Sequence, residues 1–200
     1  MSGPVPDRIQ PIRSYLTETA EALRLTAEYC AGEIARAAAL VADCFRAGGR
    51  LYLCGNGGSA AQCQHLAAEF VHRLSRGRER PALPALALTA DTAVLTSLAN
   101  DLGAAHLFAR QVEALGRRGD TLVAISTSGH SEDVVRAAVR ARELGLAAIA
   151  LTGASGGALG ELADIAIRVP DEATPRVQEL HLAVGHLICW LVEETLSRET

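Results

Sequence analysis

The sequence predicts an α/β fold in which a mostly parallel sheet carries helices on both faces. From residue 50 onward, short apolar runs alternate with longer segments of helical periodicity. Glycine- and serine-rich loops directly follow two of the predicted strands. The core must be aliphatic, because 49% of the 200 residues are hydrophobic but only one is Trp, three are Phe and three are Tyr. Such a composition is typical of buried parallel strands.

The first part of the chain, about residues 8–47, is predicted to be helical. Apolar residues recur at helical spacing over Ile12–Ala27, and a second helix is predicted over Glu33–Ala47. Gly48 and Gly49 follow, as expected just beyond a helix C-terminus.

Strands and helices then alternate over a core of about residues 50–170, and a last helix closes the chain. No linker or internal repeat divides residues 1–200, so we expect a single domain. The segment Arg76–Pro81 is predicted to be a solvated surface loop. The predicted strands are Arg50–Cys54, Ala85–Thr89, Thr121–Ile125, Ala147–Thr152 and Ile165–Val169. The predicted helices are one ending near Leu74, two between Thr92 and Gly116, one over Glu132–Leu144 and one over Pro175–Ser197.

Composition excludes several classes of partner. A formal net charge of −4 gives no general attraction to nucleic acid or to an anionic membrane, so a bound phosphate needs a local site. No apolar run approaches the roughly 20 residues of a membrane span, and residues 1–10 lack a signal-peptide pattern. The five cysteines form no CxxC pair, which is typical of reduced thiols. We therefore expect a cytoplasmic protein.

The loop CGNGGSAA, residues 54–61, lies between a predicted strand and a predicted helix. Gly55, Gly57 and Gly58 allow a ligand to approach the main chain, and the free N–H groups of the next helix favour an anion. The loop matches neither GxxxxGK[ST] nor GxGxxG, so neither nucleotide motif applies. By itself it fits a tight strand-to-helix turn equally well.

The loop STSGHSED, residues 126–133, repeats this arrangement after the third predicted strand. Its hydroxyls at Ser126, Thr127, Ser128 and Ser131, together with a helix N-terminus, can bind a phosphate monoester without a lysine. Helix capping by Ser131 is the alternative, but it accounts for one hydroxyl and not for four.

Two predicted helices carry polar residues among apolar ones. His65, Glu69 and Arg73 are four residues apart in HLAAEFVHR and are predicted to stack on one helix face. A His and a Glu one turn apart can share a metal ion. A solvent-exposed ion pair is the ordinary alternative.

The last helix contains VQELHLAVGHLICWLVEE, with Gln178, Glu179, His181 and His186. A single His in an apolar helix is more often a hydrogen-bonded structural residue than a ligand. Because the upstream helix carries a His and a Glu of its own, the sequence favours a functional role for His186 more than it would for a single His.

Taken together, CGNGGS, HLAAE, NDLG, STSGHS and QELHLAVGH resemble the sugar isomerase (SIS) domain superfamily and, within it, the phosphoheptose isomerases. The similarity runs in order over about residues 10–195. It implies a three-layer αβα sandwich with a five-stranded parallel, flavodoxin-like sheet, and a homotetramer with active sites between subunits. It also implies one zinc ion per subunit and no nucleotide cofactor. The implied reaction converts sedoheptulose 7-phosphate to D-glycero-D-manno-heptose 7-phosphate, for nucleotide-activated heptose and a cell-surface glycan.

The resemblance also implies residue roles. An aldose–ketose isomerisation through an enediol needs a base and an acid, which would be Glu69 and His186. The implied zinc ligands are His65, Glu69, Gln178 and His186. The two implied roles of Glu69 and His186 conflict, because a metal ligand is a poorer proton carrier, so both a catalytic and a structural zinc stay open at this point. The implied substrate-binding positions are Asn56, Gly57, Gly58, Ser59, Glu69, Arg73, Asn100, Asp101, Ser126, Thr127, Ser128, Ser131 and Gln178.

Spacing indicates that one chain does not complete the site. Gln178 and His186 are eight residues apart, about 12 Å along a helix axis, so we expect the ligands to come from two chains. The N-terminal helical segment and the apolar side of the last helix, with Ile188, Trp190 and Leu191, exceed what one sheet face can cover. Burial between copies would explain both.

Two departures from the family pattern matter. His130, Glu132 and Asp133 stand where an Asn and a neutral pair are common. Acidic residues in the first helical turn favour the helix but oppose a bound phosphate, so Glu132 and Asp133 are predicted to point outward. Pro175 stands where some members have an active-site Asp, although proline suits the start of a helix.

Two non-catalytic functions are the alternatives. One is a SIS-domain scaffold that associates with the bacterial replication initiator, and we expect such relatives to lack the acid–base pair. The other is a phosphosugar-binding regulator, but no helix-turn-helix segment or basic patch is present.

Overall fold

The computed structural model describes residues 8–77 and 80–197 and contains a five-stranded, fully parallel sheet. The strand order β2-β1-β3-β4-β5 is the flavodoxin-like order, which confirms the predicted fold class. Ligands in such sheets bind at the carboxyl ends of the strands, at the point where the strand order reverses. Here that point lies between β1 and β3. The strands are β1 (Leu51–Gly55), β2 (Ala85–Ala87), β3 (Thr121–Ile125), β4 (Ala147–Thr152) and β5 (Ile165–Arg168).

Helices cover both faces of the sheet. They are α1 (Ile9–Arg46), α2 (Gly58–Val71), α3 (Thr92–Asp101), a 3-10 turn (Ala104–His106), α4 (Ala109–Leu115), α5 (Glu132–Leu144), α6 (Gly157–Leu162) and α7 (Thr174–Ser197). The short α6 was not predicted from the sequence. None of the helices in the described ranges is long and apolar enough to cross a membrane.

The side chains of β1 show how the two cores are separated. Leu51 and Leu53 join one buried cluster with α1, α2 and α7, whereas Tyr52 and Cys54 join a second cluster with α4, α5 and α6. This alternation is the period of two that a strand imposes. The candidate polar residues of α2 and α7 therefore lie on the same side of the sheet.

The N-terminal helical segment is one continuous helix, so the predicted break before Glu33 is wrong. Cys30 and Ile34, on either side of the expected break, are both buried in the cluster that α1 shares with α7. Tertiary packing outweighs the low helix propensity of Gly32, which costs about 1 kcal/mol relative to alanine.

The connection after α2 is anchored by a buried ion pair, so the prediction of a wholly solvated loop is wrong at Arg80. The side chains of Arg80 and Glu193 are 1% and 0% exposed and lie 3.0 Å apart. Arg80 also donates to the main-chain oxygens of Glu69 and Phe70, both at 2.8 Å. These are carbonyls of the last turn of α2, which otherwise have no intrahelical partner. The pair thus ends α2 and ties it to α7.

Candidate active site

The glycine loop after β1 holds its conformation through close backbone contacts. A side chain on Gly55 would meet the backbone of Ile125 in β3, and one on Gly58 would meet the side chain of Gln178. Gly57 has φ +53° and is the N-cap of α2. Ser59 is buried beside Gly55. The loop therefore brings Gly57, Gly58 and Gln178 together.

In the serine loop after β3, two of the four hydroxyls contact each other. The Oγ atoms of Ser126 and Ser131 are 3.0 Å apart, and Ser128 Oγ accepts the backbone N–H of His130 at 3.2 Å. Ser131 is the N-cap residue of α5, yet its side chain makes no capping hydrogen bond. Helix capping therefore does not account for the Ser131 hydroxyl in this structure.

A third loop, after β4, supports the serine loop. It was not predicted from the sequence to be part of the site. Gly129 packs so closely on Gly156 and Gly157 that a side chain on Gly129 would overlap the carbonyl of Gly156. Gly153 donates its N–H to Thr127 O at 3.0 Å. The glycine doublet in GASGG directly after a predicted strand was the available signal.

Asp133 does not point outward, contrary to prediction. Its carboxylate is buried, and the Asn56 side-chain Nδ2 donates to both of its oxygens at 2.9 Å. Glu132 does lie on the surface, where it pairs with Arg136 at 2.7 Å. The two acidic residues differ because successive positions of a helix face different directions. The Asn56–Asp133 bond joins the glycine loop to the serine loop.

The α2–α7 contact brings together three of the predicted functional side chains. The Nε2 atoms of His65 and His186 are 2.7 Å apart, and Glu69 Oε1 lies 3.7 Å from His65 Nε2. Burial, followed by the positive charge of His65, lowers the pKa of His186, while Glu69 raises it. A lowered pKa favours the neutral imidazole, which is the form that binds metals.

Gln178 is not part of this cluster in the same chain. Its side chain lies against Gly58, and its main-chain oxygen accepts from Gln62 Nε2 at 2.6 Å. Gln178 lies two helical turns before His186, and none of the hydrogen bonds found among the described residues joins its side chain to the cluster. Among the described residues, no three His, Cys, Asp or Glu side chains are arranged to hold a metal ion by themselves. The four implied ligands are therefore not assembled within one chain.

Three further predicted substrate residues lie apart from the cluster. Arg73 is exposed and lies beyond Val71, the last residue of α2, so its predicted stacking with Glu69 is wrong. Asn100 and Asp101 are exposed at the end of α3, where Asn100 Nδ2 donates to Asp101 Oδ1 at 2.7 Å. Pro175 is accommodated in the first turn of α7.

His181 is a buried histidine outside the predicted set. Its side chain is fully buried, and neither ring nitrogen has a hydrogen-bond partner. The Thr152 hydroxyl is buried and unpartnered as well. Burial lowers the pKa of His181 to about 4, and the nearby backbone carbonyl of Thr152, which would accept from a protonated ring, opposes this in part. His181 is thus a neutral histidine one turn beyond Gln178.

Comparison with known families defines the class of protein. Residues 14–153, more than half of the chain, match the SIS domain. This segment contains α2, the glycine loop, the serine loop and the strands β1 to β4. The parallel sheet and the paired loops at its carboxyl edge agree with that class.

Individual relatives narrow the assignment. A phosphoheptose isomerase from Rhodospirillum rubrum is 54% identical over 167 residues, which cover 84% of this chain and 88% of the relative. The solved structure of phosphoheptose isomerase GmhA from Neisseria gonorrhoeae superposes with a TM-score of 0.87 at 38% identity, covering 92% of this chain and 98% of that one. A phosphoheptose isomerase from Francisella tularensis gives 0.89 at 38% identity, covering 93% and 98%. The chain belongs to the SIS domain family and, within it, to the phosphoheptose isomerases.

Proposed function

We propose that this protein is an aldose–ketose isomerase that converts sedoheptulose 7-phosphate to D-glycero-D-manno-heptose 7-phosphate, which supplies nucleotide-activated heptose for a cell-surface glycan. The observation that carries the proposal is the convergence of His65, Glu69 and His186 between α2 and α7. The phosphate-type serine loop follows β3, the neighbour of the strand that leads into α2. Acid–base groups and an anion loop are what the isomerisation of a phosphosugar requires.

Glu69 is the base that moves the proton between C1 and C2. Its side chain is 22% exposed, so the carboxylate can reach a ligand and is partly shielded from water. Arg80 holds the main-chain oxygen of Glu69 and thereby fixes the end of α2 on which the base is mounted. A base held in place in this way commonly contributes a factor of about a hundred or more to the rate.

His186 is the acid at the carbonyl oxygen. Burial and the positive charge of His65 lower its pKa, which favours the neutral ring at pH 7. A neutral imidazole retains one N–H, which can be donated to the oxygen on which negative charge develops only from a ring nitrogen that neither binds zinc nor faces His65.

The serine loop holds the phosphate group. Ser126 and Ser131 are in contact at the N-terminus of α5, where backbone N–H groups favour an anion, and Ser128 lies in the same loop. Phosphate is bound equally before and after the proton moves, so these hydroxyls govern affinity more than the chemical step.

The donor types of the cluster fit zinc, although within the described part of one chain the three side chains are not arranged to hold the ion by themselves. His65, His186 and Glu69 supply two imidazole nitrogens and a carboxylate, which are common zinc ligands. Two nitrogens on a tetrahedral zinc lie about 3.3 Å apart, so the 2.7 Å between the His65 and His186 nitrogens needs only a small opening. Gln178 is the fourth ligand in our proposal, and because its side chain lies against Gly58 of its own chain we propose that a second copy donates it. When bound, zinc supplies Lewis-acid polarisation of the substrate carbonyl.

A homotetramer with shared sites is the proposed assembly. Ile9, Ile12 and Leu16 of α1 are 60%, 58% and 62% exposed, and the groove between α1 and α7 is lined by apolar residues, including Leu23 and Leu187. A stripe of exposed apolar side chains of this kind is typical of a surface that another protein covers. The buried, unpaired cysteines agree with a reducing compartment, and we place the protein in the cytoplasm.

Incubation of the purified protein with sedoheptulose 7-phosphate tests the proposal. We expect an aldoheptose 7-phosphate to form without nucleotide or nicotinamide, and the product can be identified by mass spectrometry and NMR. The matched control is Glu69→Gln, which retains the size of the side chain but not the basic carboxylate. Absence of turnover in the metal-loaded protein, together with tight binding to the replication initiator, would favour the scaffold function instead.

A further inference from the structure

We propose that Asp133 is a specificity-determining positioning residue, which fixes the Asn56 amide so that Asn56 offers the substrate a hydrogen-bond acceptor. This inference rests on the proposed function and adds a role for a residue outside the catalytic and phosphate-binding sets. It starts from the contact between Asn56 Nδ2 and both oxygens of Asp133, each at 2.9 Å.

The carboxylate of Asp133 determines the orientation of the Asn56 side-chain amide. An ionised carboxylate can only accept hydrogen bonds, so only the NH₂ group of Asn56 can face it. The planar amide then directs its carbonyl oxygen away from Asp133. Asn56 itself is exposed at the start of the glycine loop, so this oxygen lies on the accessible side. With a neutral amide at position 133, either end of Asn56 could face inward.

Asp133 is itself held in place. It is 8% exposed, and its Oδ1 accepts the backbone N–H of Val134 at 2.9 Å. The ion pairs found among the described residues do not include Asp133. Its hydrogen bonds to Asn56 and to the first turn of α5 are therefore what stabilises the buried charge.

An acceptor at Asn56 selects for sugar hydroxyls and against phosphate. A hydroxyl can donate to the Asn56 carbonyl oxygen, whereas a phosphate dianion carries acceptors only. The phosphate is thereby directed to the serine loop and the hydroxylated chain of the sugar to the glycine loop. Asp133 thus orients the substrate, although its charge, in the first turn of α5, weakens phosphate binding as such.

The ratio of two constants separates these effects. We define it as the inhibition constant of inorganic phosphate divided by the KM of sedoheptulose 7-phosphate, so that a change in phosphate affinity alone cancels. We expect Asp133→Asn to lower this ratio about threefold to tenfold, the scale of one neutral hydrogen bond. Glu132→Gln, which removes the neighbouring, exposed charge, should leave the ratio within about twofold. In an Asn56→Ala background, Asp133→Asn should cause no further fall.

Each outcome decides the proposal. An unchanged ratio in Asp133→Asn, or an equal fall in the Asn56→Ala background, would overturn it, because the effect would then not pass through Asn56. A purely structural role would lower the melting temperature and leave the ratio unchanged. Should Asp133→Asn not fold, Asp133→Ser, which also suits a first helical turn, carries the same expectation.

The proposed function fails in a different way. If wild-type protein does not turn over the sugar phosphate, the same ratio is measured from calorimetric dissociation constants of both ligands. Binding without turnover that still responds to Asp133→Asn refutes the isomerase and supports this inference. If wild-type protein turns over the substrate and the ratio is unchanged in Asp133→Asn, the isomerase is supported and this inference is refuted. Wild-type protein that binds no sugar phosphate refutes both.

Discussion

Replacing His181 by leucine should flatten the dependence of stability on pH. His181 is fully buried without a partner for either ring nitrogen, and its pKa in the folded chain is lowered to about 4 from the ordinary 6.5. The unfolded chain therefore binds a proton at this residue between those two pH values, while the folded chain does not. Stability contributed by the neutral ring is complete above pH 6.5 and is lost as the pH falls towards 4.

The magnitude follows from the difference between the two pKa values. A difference of about 2.5 corresponds to about 3 kcal/mol, because each pKa unit is worth about 1.4 kcal/mol, and about 2.5 kcal/mol of this is lost by pH 4.5. His181→Leu is similar in volume and removes the unpartnered nitrogens. At pH 8 its free energy of unfolding should stay within about 1.5 kcal/mol of that of the wild type. At pH 4.5 it should gain about 2.5 kcal/mol relative to the wild type.

Urea unfolding at pH 8 and pH 4.5 measures this difference. Protein concentration is held constant and a chelator is present, because assembly and metal binding both change apparent stability. The pKa of His186 is also lowered, but this residue is present in both proteins and its contribution cancels in the difference. His72→Gln, at an exposed histidine, is the matched control and should follow the wild type. If the gap between wild type and His181→Leu is the same at both pH values, the assignment of a buried neutral His181 is wrong.

Three further predictions concern the site. Glu69→Gln should lower kcat at least about a hundredfold, whereas Ser128→Ala should chiefly raise KM, and steady-state kinetics giving the opposite pattern would mean that the base and the anion loop are interchanged. Wild-type protein purified without chelator should contain zinc by elemental analysis, and His65→Ala should contain less. If wild type and His65→Ala are both metal-free and fully active, the proposed ligand set is wrong. Mixing inactive Ser128→Ala/Ser131→Ala protein with inactive Glu69→Gln protein, after subunit exchange is verified, should restore activity if loop and base come from different chains. No recovery would place them in one chain, and a fully active species of about 21 kDa would exclude shared sites.

The sheet could be predicted from the sequence because its strands are buried apolar runs bounded by turn residues. The bounds of β3 and β4, and those of α5 between them, agree with prediction to the residue. Both loops at the carboxyl edge were also located, since glycine and serine follow those strands directly. The joint role of His65 and His186, 121 residues apart, was implied by the resemblance to the phosphoheptose isomerases, and the structure brings the two side chains together.

What could not be predicted depends on direction and distance rather than on residue type. Glu132 and Asp133 are equivalent in a sequence pattern, yet one faces solvent and the other is buried against Asn56. Arg80 lies in a charged stretch that is typical of a solvated loop, and its partner Glu193 is 113 residues away. Local patterns do not carry the information that such pairs require.

The buried Arg80–Glu193 pair also constrains how this sequence can vary. Losing either partner alone leaves a charge with 1% or less of its side chain exposed, at a cost of about 3–5 kcal/mol. Replacing both at once by apolar residues of similar volume removes the two buried charges together, but the N–H groups of Leu74 and Ser75 and the carbonyls of Glu69 and Phe70 then lose these partners. Positions 80 and 193 should therefore change together among descendants of this chain or not at all. Where they do change, the new residues must satisfy these backbone groups in another way. The end of the helix that carries Glu69 therefore restrains which residues position 80 can accept.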